Sequence, residues 1–154
     1  MATKTFFFLS ILCTAIAMAA GLAHLFELPN KMPLSREDYL TVQQIYRGWA
    51  LLGIVVIGAL LSSLILTVLV RGNPPVFYLT LTATLCIALS LCVFFLFTYP
   101  ANQATDNWTN LPENWQALRR QWEYAHAVGA GLYVMAFIAL TISTLIERQR
   151  ARGP

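Results

Sequence analysis

Four long apolar runs mark the chain, at about residues 6–28, 49–70, 76–99 and 125–147. Each approaches the ~20 residues that a helix needs to cross a hydrocarbon core of ~30 Å. In lipid the backbone must satisfy its own hydrogen bonds, so these runs predict helices and not strands. The connections between them are unequal. Arg71-Gly72-Asn73-Pro74-Pro75 reads as a tight turn, with Gly72 and Pro74 as breakers. Residues 29–48 and 100–124 are longer and would form a small cap at the opposite end. After Pro29 ends the first helix, Ser35 is a natural N-cap, with Glu37 and Asp38 in the following turn. The second helix is thus expected to start near Arg36, and the fourth at Pro112-Glu113. The pattern gives an all-α fold: one domain over 1–154, an integral membrane four-helix bundle whose second and fourth helices extend into the cap.

Composition agrees. The chain is 58% hydrophobic and 11% charged, where a soluble domain carries about a quarter charged residues. No basic run with interleaved aromatics supports nucleic-acid binding. Cys13, Cys86 and Cys92 all lie in apolar runs and read as small hydrophobes. Lys4, a short apolar stretch and Ala17-Met18-Ala19 also fit a cleavable leader, but the apolar run continues past that point. Asn107-Trp108-Thr109 matches a glycosylation sequon, a pattern common by chance.

Charge gives an orientation. With the N-terminus inside, the inner side holds Lys4, Arg71, Arg148, Arg150 and Arg152 against Glu147 alone. The outer side holds Lys31, Arg36, Arg47, Arg119 and Arg120 with all the other acids. The Arg-rich C-terminus favours N-in, C-in, which puts the cap outside. Ala15, Ala19 and Ala23 on the first helix, and Gly129 and Gly131 on the fourth, would allow close helix packing.

The most informative polar feature is a pair of mirrored motifs, His24-Leu25-Phe26-Glu27 and Glu123-Tyr124-Ala125-His126. A spacing of three puts both members of each motif on one helical face. The two helices run in opposite directions, so the reversed order brings histidine level with histidine. From Lys4 to His24 is about 30 Å of helix, and from His126 to Arg148 about 33 Å. Both motifs therefore lie near the outer edge of the hydrocarbon. Ionisable groups inside a membrane are costly and usually mark function.

Gln43, Tyr46 and Arg47 follow at this level on one side, and Tyr99, Asn102 and Gln103 on the other. Three chemistries suit the layer. His24, Glu27, Glu123 and His126 can ligate a transition metal such as Fe, Cu, Mn or Zn. The histidines can act as general base and acid without a cofactor, or hold a haem. Arg47, Arg119 and Asn102 would orient the carboxylates, a substrate or oxygen, with Trp108, Trp115 and Trp122 as walls or as an interfacial belt. The structural alternative is that Glu27 and Glu123 only pair with Arg47, Arg119 or Arg120 to fix the bundle.

The stretch Tyr99-Pro100-Ala101-Asn102-Gln103-Ala104-Thr105-Asp106-Asn107-Trp108 precedes Asn114-Trp115, Leu118-Arg119 and Trp122-Glu123-Tyr124-Ala125-His126. Together these resemble the anthrone-oxygenase-like family of four-helix membrane proteins. The likeness is most specific in the Asn-rich loop, Trp115, Arg119, Trp122 and His126. It implies a bacterial inner-membrane protein with oxygenase-type oxidoreductase activity on an apolar, aromatic or lipid-soluble substrate, without an added cofactor. Partners on this reading are membrane lipid and that substrate, alone or as a homo-oligomer. The alternative is a non-catalytic accessory or assembly subunit of a larger membrane complex.

Overall fold

The computed structural model describes residues 1–152, with side chains through residue 149. Arg150 and Arg152, counted above on the inner side, lie outside the described side chains. The described residues are helical with no strand. Helix α1 spans Ala2–Lys31, α2 Arg36–Gln43, α3 Leu52–Leu69, α4 Pro74–Val93, α5 Tyr99–Ala104 and α6 Trp115–Arg152. Among the described residues four helical stretches are long and apolar enough to cross a membrane: Ala2–Lys31, Trp49–Leu69, Pro74–Ala104 and Trp115–Gln149. The chain is therefore an integral membrane protein by the length and hydropathy of its helices. Helix α1 packs on α3 and α6, and α4 packs on the same two, which closes a four-membered ring.

The contact face of α1 differs from the expected alanine stripe. It runs through Phe7, Ser10, Thr14, Ala17, Gly21 and His24, a three-and-four alternation that stays on one helical face. A Cβ on Gly21 would meet the Ala130 Cα at 3.2 Å. Glycine is thus what lets α1 and α6 approach. Ala19 and Gly131 instead face outward, while Gly129 packs beside the Ser90 hydroxyl.

Three local departures shape the end that carries the histidines. Helix α1 does not stop at Pro29 but continues to Lys31. Proline removes only its own N–H donor near a helix end, where few bonds are left to lose. The extra half-turn carries Lys31 inward, where it is 2% exposed.

The second departure is a break in the expected long second helix. Ser35 caps α2, its Oγ accepting from the Asp38 N–H at 3.1 Å. The helix then ends, and two 3₁₀ turns, Gln44–Tyr46 and Trp49–Leu51, lead to α3. Between them Gly48 has φ +84°, a left-handed conformation that glycine adopts without penalty and that no α-helix can pass through.

The third departure is a π-helical turn at Phe94–Thr98 in the third crossing, just before Pro100. The Tyr99 N–H reaches back to the Phe94 carbonyl, and Gln121 Nε2 donates to the Phe97 carbonyl at 2.8 Å. Helix α6 begins at Trp115, slightly later than Pro112, whose carbonyl accepts from the Trp115 N–H at 3.1 Å.

The cap has its own core of Tyr39, Ala101, Trp108, Leu111 and Trp122. Trp108 and Trp122 are 3% and 4% exposed, so they are buried walls, not an interfacial belt. Asp106, Asn107 and Trp108 take three successive positive φ angles of 47°, 53° and 62°. Left-handed geometry costs roughly 1–2 kcal/mol per ordinary residue. Three bonds at Trp108 offset it. Its N–H donates to Thr105 Oγ1 at 3.1 Å, its Nε1 donates to Asn102 Oδ1 at 3.1 Å, and its carbonyl accepts from Gln44 Nε2 at 2.9 Å.

Candidate functional site

The buried stripe on α1 carries His24, and the facing position on α6 is His126. The two imidazoles stack with centroids 4.1 Å apart and planes inclined by 24°. Three more rings close around them. Trp122 stands edge-on to both, at 5.0 Å from His24 and 4.2 Å from His126. Tyr46 and Trp49, on either side of Gly48, approach His24 at 4.5 Å and 5.4 Å. Among the described residues His24 Nδ1 and His126 Nε2 are buried with no hydrogen-bond partner.

A charged layer lies on the cap side of this box. Lys31 Nζ contacts Glu123 Oε2 at 3.0 Å, donates to the Tyr46 hydroxyl at 3.0 Å, and stands 3.6 Å from Glu27 Oε2. It also faces the rings of Tyr46 and Trp122, at 4.9 Å and 5.2 Å from their centroids. The other Glu123 oxygen accepts from the Tyr39 hydroxyl at 3.0 Å and from Gln43 Nε2 at 3.5 Å. The Tyr46 hydroxyl donates to the Glu27 carboxylate. The Glu123 side chain is fully enclosed, whereas that of Glu27 is 39% exposed.

Burial, reinforced by the Glu123 carboxylate, pushes the Tyr39 phenol well above its ordinary range. Burial and the bond to Glu27 do the same for Tyr46. Both phenols are held as donors.

The expected residues are sorted unevenly. His24, Glu27, Glu123 and His126 do come together at one level. They do not converge on a common point. Ligands share a metal through in-plane lone pairs aimed at one atom ~2 Å away, whereas these rings lie face to face and Lys31 occupies the carboxylates. Among the described residues no group of three His, Cys, Asp or Glu side chains is placed to hold a metal ion.

Arg119 does not reach the glutamates. It donates to the Leu34 carbonyl at 3.0 Å and covers the rings of Trp115 and Tyr39. Arg47 is exposed beside Gly48, at the break between the two 3₁₀ turns, and not in the box. Asn102 holds tryptophans and not carboxylates: its Oδ1 accepts from Trp122 Nε1 at 2.7 Å as well as from Trp108 Nε1.

Sequence reasoning missed Lys31 and Tyr39. For Lys31 a signal existed. It lies seven residues after His24 and four after Glu27, so a helix continued past Pro29 places it on their face. Tyr39 carried no such signal, because its position depends on how α2 folds back over α6. No protein-family model, curated protein or solved structure matches the chain.

Proposed function

We propose that the protein is a membrane-embedded oxidoreductase of the oxygenase type, in which the His24–His126 pair moves a proton to or from a lipid-soluble aromatic substrate. The observation that carries this reading is the pair itself, two imidazoles stacked in an aromatic box with a buried, unbonded nitrogen on each. A buried ring nitrogen without a partner costs free energy, and a neutral imidazole nitrogen with a free lone pair can accept a proton. The Lys31 ammonium, whose charge is balanced by Glu123 and Glu27, holds the cap side of the box in place around the histidines.

The substrate class rests on the resemblance to anthrone oxygenases. A CH₂ flanked by two aromatic rings and conjugated to a carbonyl is acidic enough for an imidazole to deprotonate. The resulting carbanion can give electrons to molecular oxygen. The balanced outcome is CH₂ plus O₂ giving C=O plus H₂O, with one oxygen atom in the ketone and one in water. On this reading the chain lies N-in, C-in in a bacterial inner membrane, with the box near the outer face.

Incubation of purified protein in lipid nanodiscs with anthrone under ¹⁸O₂ tests it. One labelled oxygen per anthraquinone, formed faster than in empty nanodiscs, is the expected result. Formation at the empty-disc rate would refute the assignment.

A further inference from the structure

The histidine box is closed by residues 45–51, the two-turn link between α2 and α3. Its backbone hydrogen bonds are local: the Arg47 N–H to the Gln44 carbonyl at 3.2 Å, and the Leu51 N–H to the Gly48 carbonyl at 3.1 Å. Ile45, Arg47, Gly48, Ala50 and Leu51 are exposed. Only Tyr46 and Trp49 turn inward, and both turn onto His24. The ends are fixed, by Gln44 on the Trp108 carbonyl at 2.9 Å and by the start of α3 at Leu52. Gly48 lies midway at φ +84° with open space around it.

We infer that residues 45–51 are a lid hinged at Gly48, and that the Tyr46 and Trp49 rings fill the slot that a flat aromatic ligand occupies when the lid lifts. A hinge needs a residue that can change φ without a clash, and glycine in open space is such a residue. The latch is the Tyr46 hydroxyl, which donates to Glu27 and accepts from Lys31. With the lid raised, His24 loses two of its ring neighbours while Trp122 and His126 stay in place on α6. What remains is a slot with two edges and a floor made of rings, which selects a planar aromatic molecule over a flexible chain. This deepens the oxygenase reading and rests on it for the substrate class.

Carbethoxylation of His24 by diethylpyrocarbonate, mapped by mass spectrometry on the full chain in nanodiscs, reads the lid directly. His24 and His126 are the only histidines. Alanine at position 48 meets no neighbour but strains the closed φ, so Gly48→Ala raises the His24 labelling rate by about tenfold. Tyr46→Phe keeps the ring, removes the latch and raises the rate as well. Anthrone added to Gly48→Ala slows the labelling by filling the slot. Wild-type labelling rates in both variants would overturn the lid, and full-speed labelling with anthrone present would overturn the slot. Labelling requires no turnover. A lid that opens in a protein that oxidises nothing would therefore count against the oxygenase reading alone.

Discussion

The Lys31 ammonium and the Glu123 carboxylate meet at 3.0 Å, with 3% and 0% of their side chains exposed. They join the C-terminal end of α1 to α6, one turn above the histidines. Removing one partner of such a pair leaves a buried charge, which costs about 3–5 kcal/mol. Lys31→Met is therefore expected to destabilise the protein by that order, read as a lower thermal midpoint in detergent. The double variant Lys31→Met/Glu123→Met recovers much of the loss. A double-variant loss equal to the sum of the Lys31→Met and Glu123→Met losses would show that the charges are not coupled.

Asn102 is the next point of leverage. Its Oδ1 accepts from the indoles of Trp122 and Trp108, and Trp122 is the edge-on wall of both imidazoles. Asn102→Ala leaves two indole N–H groups without that acceptor. At roughly 1–3 kcal/mol for each unsatisfied buried donor, the variant is clearly less stable. Its tryptophan emission shifts to the red as water or lipid headgroups reach the indoles. Unchanged emission would mean that the amide does not position Trp122.

Two glycines of α1 and α6 separate close packing from open space. Gly21→Val drives a side chain into Ala130, and overpacking of this kind costs about 1–3 kcal/mol. It also spreads the helices that carry the histidines. Gly131→Ala meets nothing within 4 Å and stabilises the helix by roughly 0.5–1 kcal/mol. Unfolding midpoints of the two variants should move in opposite directions, and a shared direction would contradict the packing described.

The alkaline limb of stability follows from the phenols. Tyr39 and Tyr46 have folded values raised above the ordinary ~10 of a free tyrosine. A raised folded value means that the stabilisation is complete below about pH 10 and is lost as pH climbs from there toward the folded values. The unfolding midpoint should be flat from pH 7 to 9 and fall beyond about pH 10. Tyr39→Phe/Tyr46→Phe should fall less steeply. A wild-type midpoint indifferent to alkali would refute the donor roles of both phenols.

The four crossings and the meeting of the mirrored motifs were legible because both depend on local periodicity. Apolar runs of about 20 residues declare a membrane helix, and a spacing of three declares a face. The charge partners were not legible. Arg47 and Arg119 are obvious cations at the right depth, yet the first lies exposed beside a left-handed glycine and the Leu34 carbonyl takes the second. Lys31 fills the role because α1 runs on past Pro29, a choice decided by tertiary contacts and not by proline's local preference. Asn102 was found, but its work on two tryptophans could not be read, since that geometry depends on the fold of the whole cap.

The central claim is that the stacked histidines move a substrate proton, and an isotope measurement tests it most directly. Turnover of anthrone carrying CD₂ in place of CH₂ is compared with the unlabelled compound, in wild-type protein and in His24→Ala and His126→Ala. The account predicts slower turnover of the deuterated compound in the wild type. It also predicts a loss of about 100-fold or more when a general base is removed from the pair. Turnover at the wild-type rate in both histidine variants would contradict it.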